Sequence, residues 1–154
     1  FVGTDNEENT IYGGGILDQK PAIIRIRKTQ DKTILTFKQR VANDLAVKEQ
    51  IEHETVVEDV NAVHKILESL GIEARLVYEK HRDIWKFRSV EVVIDELPFG
   101  LYMEIEGSIT GIAEAEMILG IENFEVVHET YPLLTARFGE EINGRREARF
   151  KASA

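Results

Sequence analysis

Apolar and polar residues alternate with a period of two along several short runs of this chain. In Ala22-Ile23-Ile24-Arg25-Ile26-Arg27 the apolar Ala22, Ile24 and Ile26 share one face of an extended strand, and Arg25 and Arg27 share the other. After the polar connection Gln30-Asp31-Lys32 a second β-rich run covers residues 33–38, and the two are expected to pair as a hairpin. Residues 47–57 form a third run. Asp59 then stands where a helix cap would, ahead of Val63, Ile66, Leu67 and Leu70 at helical spacing, and Gly71 is placed to end that helix. Residues 74–87 and 90–95 again favour strands, broken at Arg88-Ser89, and 101–106 alternates cleanly after the Pro98-Phe99-Gly100 turn. A second helix is expected at Ile112, Ala115, Ile118 and Leu119, started by Ser108 or Thr110, and a shorter one over residues 131–138. Gly13-Gly14-Gly15 reads as a mobile breaker before the first strand, and the charged tail 139–154 reads as frayed. The pattern is α+β, with six strands dominated by antiparallel hairpins.

Composition narrows the function classes. A length of 154 residues suits one domain, 1–154, and a chain that is 43% apolar and 31% charged folds around a core. The absence of cysteine removes disulfides and thiolate metal sites, so a metal would have to be held by carboxylates or histidines. No apolar run reaches the roughly 18 residues of a membrane span, and the amino end shows no signal pattern. A cytoplasmic, non-membrane protein is expected. The net charge of −9 argues against a nucleic-acid surface, so any polyanion site should be local and enclosed.

Charged side chains two apart recur on the strands. Arg25-x-Arg27, Lys38 and Lys80-x-Arg82 place cations on strand faces, while Glu52-x-Glu54 and Glu104-x-Glu106 place carboxylates there. On any one strand this is what a solvated face looks like. Across several strands the repeated apposition of like charges calls for a counter-ligand. A linear polyphosphate with its metal would serve, since arginine forks and lysine points match phosphate oxygens while hard carboxylates hold Mg²⁺ or Mn²⁺.

The series 22–27, then Leu35-Thr36-Phe37-Lys38, Glu52-x-Glu54, Lys80-x-Arg82, Val93-Ile94-Asp95 and Gly100-Leu101-Tyr102-Met103-Glu104-Ile105-Glu106-Gly107 resembles the CYTH domain of the triphosphate tunnel metalloenzymes. That family includes class IV adenylyl cyclases, thiamine triphosphatases and inorganic triphosphatases. The resemblance implies a closed antiparallel barrel of about eight strands with helices packed outside. It implies that Arg25, Arg27, Lys38, Lys80 and Arg82 bind the phosphates and that Glu104 and Glu106 hold Mg²⁺ or Mn²⁺, with Glu52 or Glu54 helping. Glu104, Glu106, Lys80 and Arg82 are then the catalytic set. Asp95 is either part of the site or an ordinary turn residue. Family members begin with a strand bearing Glu-x-Glu-x-Lys, and Glu7-Glu8 lacks that spacing. With only six strands in view and Phe1 at the start, a first strand and helix are expected upstream of this sequence.

The expected activity is metal-dependent hydrolysis of a linear triphosphate: inorganic, nucleoside or thiamine triphosphate. The alternatives are an adenylyl cyclase making cyclic AMP from ATP, and a non-catalytic polyphosphate-binding module. A small-molecule triphosphate is the expected partner, and homodimerisation enters only as a general prior. His53, His64, His81 and His128 lack the spacing of a zinc site, and Trp85 is expected on the wall of the sheet.

Overall fold

The computed structural model describes residues 1–40 and 50–151. Seven strands run antiparallel in one sheet: β1 (Gly3–Gly13), β2 (Ala22–Lys28), β3 (Thr33–Arg40), β4 (Gln50–Val56), β5 (Glu73–Phe87), β6 (Val90–Leu97) and β7 (Gly100–Glu106), in the order β4-β3-β2-β1-β5-β6-β7. Two short strands, β8 (Glu140–Ile142) and β9 (Arg145–Ala148), form a hairpin whose second member runs parallel to the first half of β5. Helices α1 (Val60–Ser69), α2 (Ile109–Leu119) and α3 (Tyr131–Phe138) complete the chain. Among the described residues no helix is long and apolar enough to cross a membrane.

Alternation decides where the cores lie. The face of β2 and β3 that carries Ala22, Ile24, Ile26, Leu35 and Phe37 turns outward, and α1 covers it with Val60, Val63 and the buried Leu67. Burying a leucine of this kind stabilises by roughly 1.5–3 kcal/mol. Asp59 caps α1 by accepting a hydrogen bond from the Ala62 amide at 2.9 Å, and Gly71 turns the chain away at a φ of +72°. A second outer cluster joins Val90 and Val92 to Ala115 and Ile112 of α2, which Ser108 caps. The third apolar cluster lies at one end of the opposite face, where Ile11, Tyr78 and Leu97 meet Tyr131 of α3.

Several expectations need correction. The expected closed barrel is not formed by hydrogen bonds among the described residues: β4 and β7 each pair on one side only and remain the two edges of the sheet. The sheet still curls, since side chains from β3 and β7 line one cavity. The third strand begins at Gln50, and residues 47–49 of the expected run lie outside the described residues. The first eleven-residue strand was not visible in the sequence because Thr4 to Thr10 is polar on both faces, yet β1 pairs with both β2 and β5. With β1, β8 and β9 present, the count of six strands was too low. Gly13-Gly14-Gly15 is a built turn rather than a loose one: Gly14 has a φ of +100°, and a Cβ there would meet the Gly71 carbonyl oxygen at 2.6 Å.

The tail also departs from expectation, because it is tied down as far as Phe150. Glu147 is buried, and Arg145 and Arg149 donate hydrogen bonds to it at 2.5 and 2.6 Å. Arg149 also donates to Glu8 and Glu79, clamping β9 across β1 and β5. Charge in this tail is therefore a fastener. Replacing Arg149 by alanine should cost about 1–2 kcal/mol, the scale of lost charge-assisted hydrogen bonds, and urea unfolding of the variant at neutral pH checks this. An unchanged unfolding midpoint would restore the frayed reading.

Candidate active site

Strand pairing brings together the charged face that the alternation implied. Across β1 and β5, Glu7 stands opposite Lys80 and Asp5 opposite Arg82; across β1 and β2, Ile11 stands opposite Arg25 and Asn9 opposite Arg27. Arg82 faces Asp95 of β6, Lys38 faces Glu52 of β4, and Thr36 faces Glu54. A cavity of about 680 Å³ opens over this face. Arg25, Arg27, Lys38, Lys80, Arg82, Glu104 and Glu106 line it, together with Arg40 and the first turn of α3. Glu52 and Glu54 stand at the β4 edge instead, where Glu52 lies 3.0 Å from Lys38 and Glu54 lies 3.7 Å from Arg25. The Thr36 hydroxyl donates to Glu54 at 2.8 Å and holds its carboxyl below the usual range.

Asp95 is no turn residue. It is fully buried, and Arg82 forks onto it, with Nε donating to Oδ1 at 2.6 Å and Nη2 to Oδ2 at 2.5 Å. Tyr131 and Lys80 also donate to Oδ2, at 2.8 and 3.4 Å. Burial alone would raise this carboxyl, but the Arg82 hydrogen bonds and the Lys80 charge hold it below its ordinary value. The Arg82 Nη2 also donates to Glu104 at 2.7 Å, so this guanidinium bridges β6 and β7. Lys80 is only 4% exposed, and burial pulls its ammonium below the usual lysine value despite the nearby Glu7 charge.

The two arginines of β2 are less satisfied. Among the described residues, Nε and Nη2 of Arg25 and Nε of Arg27 are buried without a hydrogen-bond partner. Their nearest carboxylates, Glu54 and Glu7, lie at 3.7 and 3.5 Å. Burial, followed by the neighbouring Arg27 charge, lowers the Arg25 guanidinium from its ordinary value. Buried, unpartnered N–H groups on paired cations are costly unless an anion completes them.

The implied divalent ion can be tested against the donors. Among the described residues no group of three carboxylates or histidines converges on one point, so no ready-made protein cage exists. Glu104 and Glu106 do line the cavity as neighbouring hard oxygen donors. That set suits an ion held by one or two carboxylates with the remaining positions filled by substrate oxygens and water, as Mg²⁺ commonly is. The residues fit such an ion.

Sequence reading missed Glu7, Asn9 and Tyr131. Glu7 is buried 3.5 Å from both Arg27 and Lys80, and Asn9 donates to it at 3.0 Å. The signal for them was present, since Asp5, Glu7 and Asn9 are spaced two apart like the other charged pairs. The place of Tyr131 depends on how α3 docks, for which no local pattern speaks.

Comparison with known proteins gives one family and several solved structures of the same fold. The CYTH domain profile matches residues 12–131. A Methanocaldococcus jannaschii protein named "Putative adenylate cyclase" is 28% identical over 122 residues, which covers 77% of this chain and 69% of that protein. The structure of a Pyrococcus horikoshii protein superposes with a TM-score of 0.72 at 22% identity, covering 87% of this chain and 84% of the other. A Hippeastrum protein described as a "putative adenylyl cyclase" with a dominant triphosphatase activity superposes with a TM-score of 0.60 at 14% identity, covering 94% and 87%. At these identities the solved structures speak for the fold.

Breaking the Asp95 cluster gives a direct test of its energetics. Asp95→Asn removes the buried carboxylate that Arg82 and Lys80 share, leaving Arg82 with Glu104 and Lys80 with Glu7, and should destabilise by about 3 kcal/mol in urea unfolding. The stability carried by Asp95 is present above the ordinary aspartate value of 3.8 and is lost as pH falls below it, because the folded carboxyl titrates lower. The variant should therefore show a flatter acid dependence than the parent.

Proposed function

From the premise that the chain belongs to the CYTH domain family, we propose that it binds a linear triphosphate in the ionic cavity and hydrolyses it with the help of a divalent metal. One observation carries this reading. Buried N–H groups of Arg25 and Arg27 lack partners on the same face where Lys38, Lys80 and Arg82 converge, and a chain of phosphates supplies acceptors to all of them.

Each side chain then has work to do. Arg25 and Arg27 give planar donors to non-bridging oxygens, and Lys38 adds a point charge from the β3 side. Lys80 and Arg82 approach from β5, in a site whose low dielectric strengthens every contact. Asp95 keeps the Arg82 fork in place. Glu104 and Glu106 would hold Mg²⁺ or Mn²⁺, which when bound neutralises charge on the phosphoryl oxygens. Water attacks the terminal phosphorus in line, the bridging P–O bond breaks, diphosphate departs with the bond electrons, and the proton of the water passes to a phosphate oxygen. The protein's own contribution is position and charge.

A second reading has an observation in its favour. Ile11, Ile23, Pro132 and Leu133 give the same cavity an apolar side, which offers a surface to the base of a nucleotide. With ATP so placed, the ribose 3′-hydroxyl could reach the α-phosphorus and expel diphosphate as cyclic AMP forms. The name of the M. jannaschii relative agrees with that reaction, and the Hippeastrum description agrees with hydrolysis.

Phosphate release and cyclic AMP should be assayed with tripolyphosphate, ATP and thiamine triphosphate in the presence of Mg²⁺ or Mn²⁺. Metal-dependent phosphate release is expected, with Arg27→Ala and Glu104→Gln each lowering kcat/KM by about 100-fold, the usual scale for removing one preorganised charge. Cyclic AMP as the main product would install the cyclase reading. Tight, Arg27-dependent binding of tripolyphosphate without either product would leave a binding module.

A further inference from the structure

Tyr131 comes from outside the sheet, yet its hydroxyl reaches Asp95, the fully buried carboxylate that holds the cavity-lining Arg82 and Lys80. It is the first residue of α3, whose opening turn forms one wall of the cavity. The hydroxyl donates to Asp95 Oδ2 at 2.8 Å, the oxygen that also accepts from Arg82 Nη2. The ring lies 5.4 Å from Lys80 Nζ and packs edge-on against Tyr102 and Tyr78, with centroids 5.6 and 6.3 Å away. One side chain thus touches both β5 cations, directly for Lys80 and through Asp95 for Arg82. The groups that face it are Lys80 and Arg82 from β5, Asp95 from β6 and Glu104 from β7. Burial and these two carboxylates push the phenol well above its ordinary value, so it stays a donor.

We infer that Tyr131 is a positioning residue: its hydroxyl fixes the Asp95 carboxylate, and through it the Arg82 fork, so that the β5 cations are aligned on the phosphate chain only while α3 is docked. The inference rests on the triphosphate reading of this cavity. Geometry supplies its reason. Arg82 and Lys80 both hold Asp95 from the one strand β5, so the carboxylate can shift and tilt with that strand, whereas a donor from a separate element removes that freedom. The fork also has a second acceptor, Glu104, within 2.7 Å, so without Tyr131 the guanidinium can redistribute between two carboxylates. Misalignment of a charge that acts on the transferring phosphoryl weakens the transition state more than the ground state.

Tyr131→Phe deletes only the hydroxyl and keeps the ring in its apolar cluster. Steady-state kinetics on the substrate that the parent turns over should show kcat lowered by about tenfold with KM changed less than about threefold, the pattern of an interaction used mainly in the transition state. Thermal unfolding should show a folded variant. Tyr131→Ala, which also removes part of the cavity wall, should add a rise in KM. Unchanged kcat in Tyr131→Phe would overturn the inference, as would a fall in kcat matched by an equal loss of folded protein. If the parent turns over no triphosphate, the hydrolase and cyclase readings fail on their own, and tripolyphosphate affinity becomes the readout. Weaker binding by Tyr131→Phe than by the parent then keeps the positioning role; equal affinities, or no binding by the parent, remove it.

Discussion

The arrangement depends on keeping several cations out of bulk water on one face of a sheet. Arg25 and Arg27 on β2 and Lys80 and Arg82 on β5 flank the shared neighbour β1, and taking even one such charge from water costs several kcal/mol unless it is paired. The strand register meets that cost by interleaving signs. Glu7 of β1 lies between Arg27 of β2 and Lys80 of β5, and Asp95 of β6 receives Arg82 while Glu104 of β7 takes its second donor. The compensation is uneven. The β5 cations are tightly held, and the β2 arginines keep N–H groups without acceptors. The difference separates a fixed half of the site from a half still able to take new oxygens.

This division is sustained by placing most of the apolar packing elsewhere. The strands turn Ile24, Ile26, Val90 and Val92 outward, where α1 and α2 cover them, and the ionic face is left largely to electrostatics. The helices therefore supply hydrophobic stabilisation to the outer face of the sheet. Only at one end does the inner face become apolar, through Ile11, Tyr78, Leu97 and the ring of Tyr131. There α3 docks, and there the packing core and the ionic site share a residue.

Most of the fold was legible because it obeys local rules. The two-residue alternation of β2 and β7, the Asp59 cap and the Ser108 start of α2 each announce themselves within a few positions. The basic and acidic residues expected at the site do share one face, since pleating makes a period-two pattern a statement about direction. What stayed hidden was non-local. β1 has no apolar rhythm in its first half, because its partners on both sides make a polar strand acceptable in the middle of a sheet. Glu147 and Arg149 look like solvated tail residues until β9 lies beside β5. Asp95 stayed open between a site role and a turn role because its depth depends on β5, β7 and α3 together. The open edges at β4 and β7 depend on pairing partners, about which the strands' own residues are silent.

The opposite duties of the two faces also set how this chain can change over time. Along β2 the even-numbered positions answer to α1 and the odd-numbered ones to the ionic cavity, so the same seven residues carry two interleaved messages. Point substitutions can rewrite one message without touching the other: the charges lining the cavity can be changed under an unaltered core. An insertion or deletion of one residue inside a strand swaps the messages, sending arginines under the helix and isoleucines toward the cavity. Length variation among descendants of such a sequence should therefore gather in the turns, at Thr29 to Lys32 and Asn143-Gly144, while the strands diverge by substitution alone.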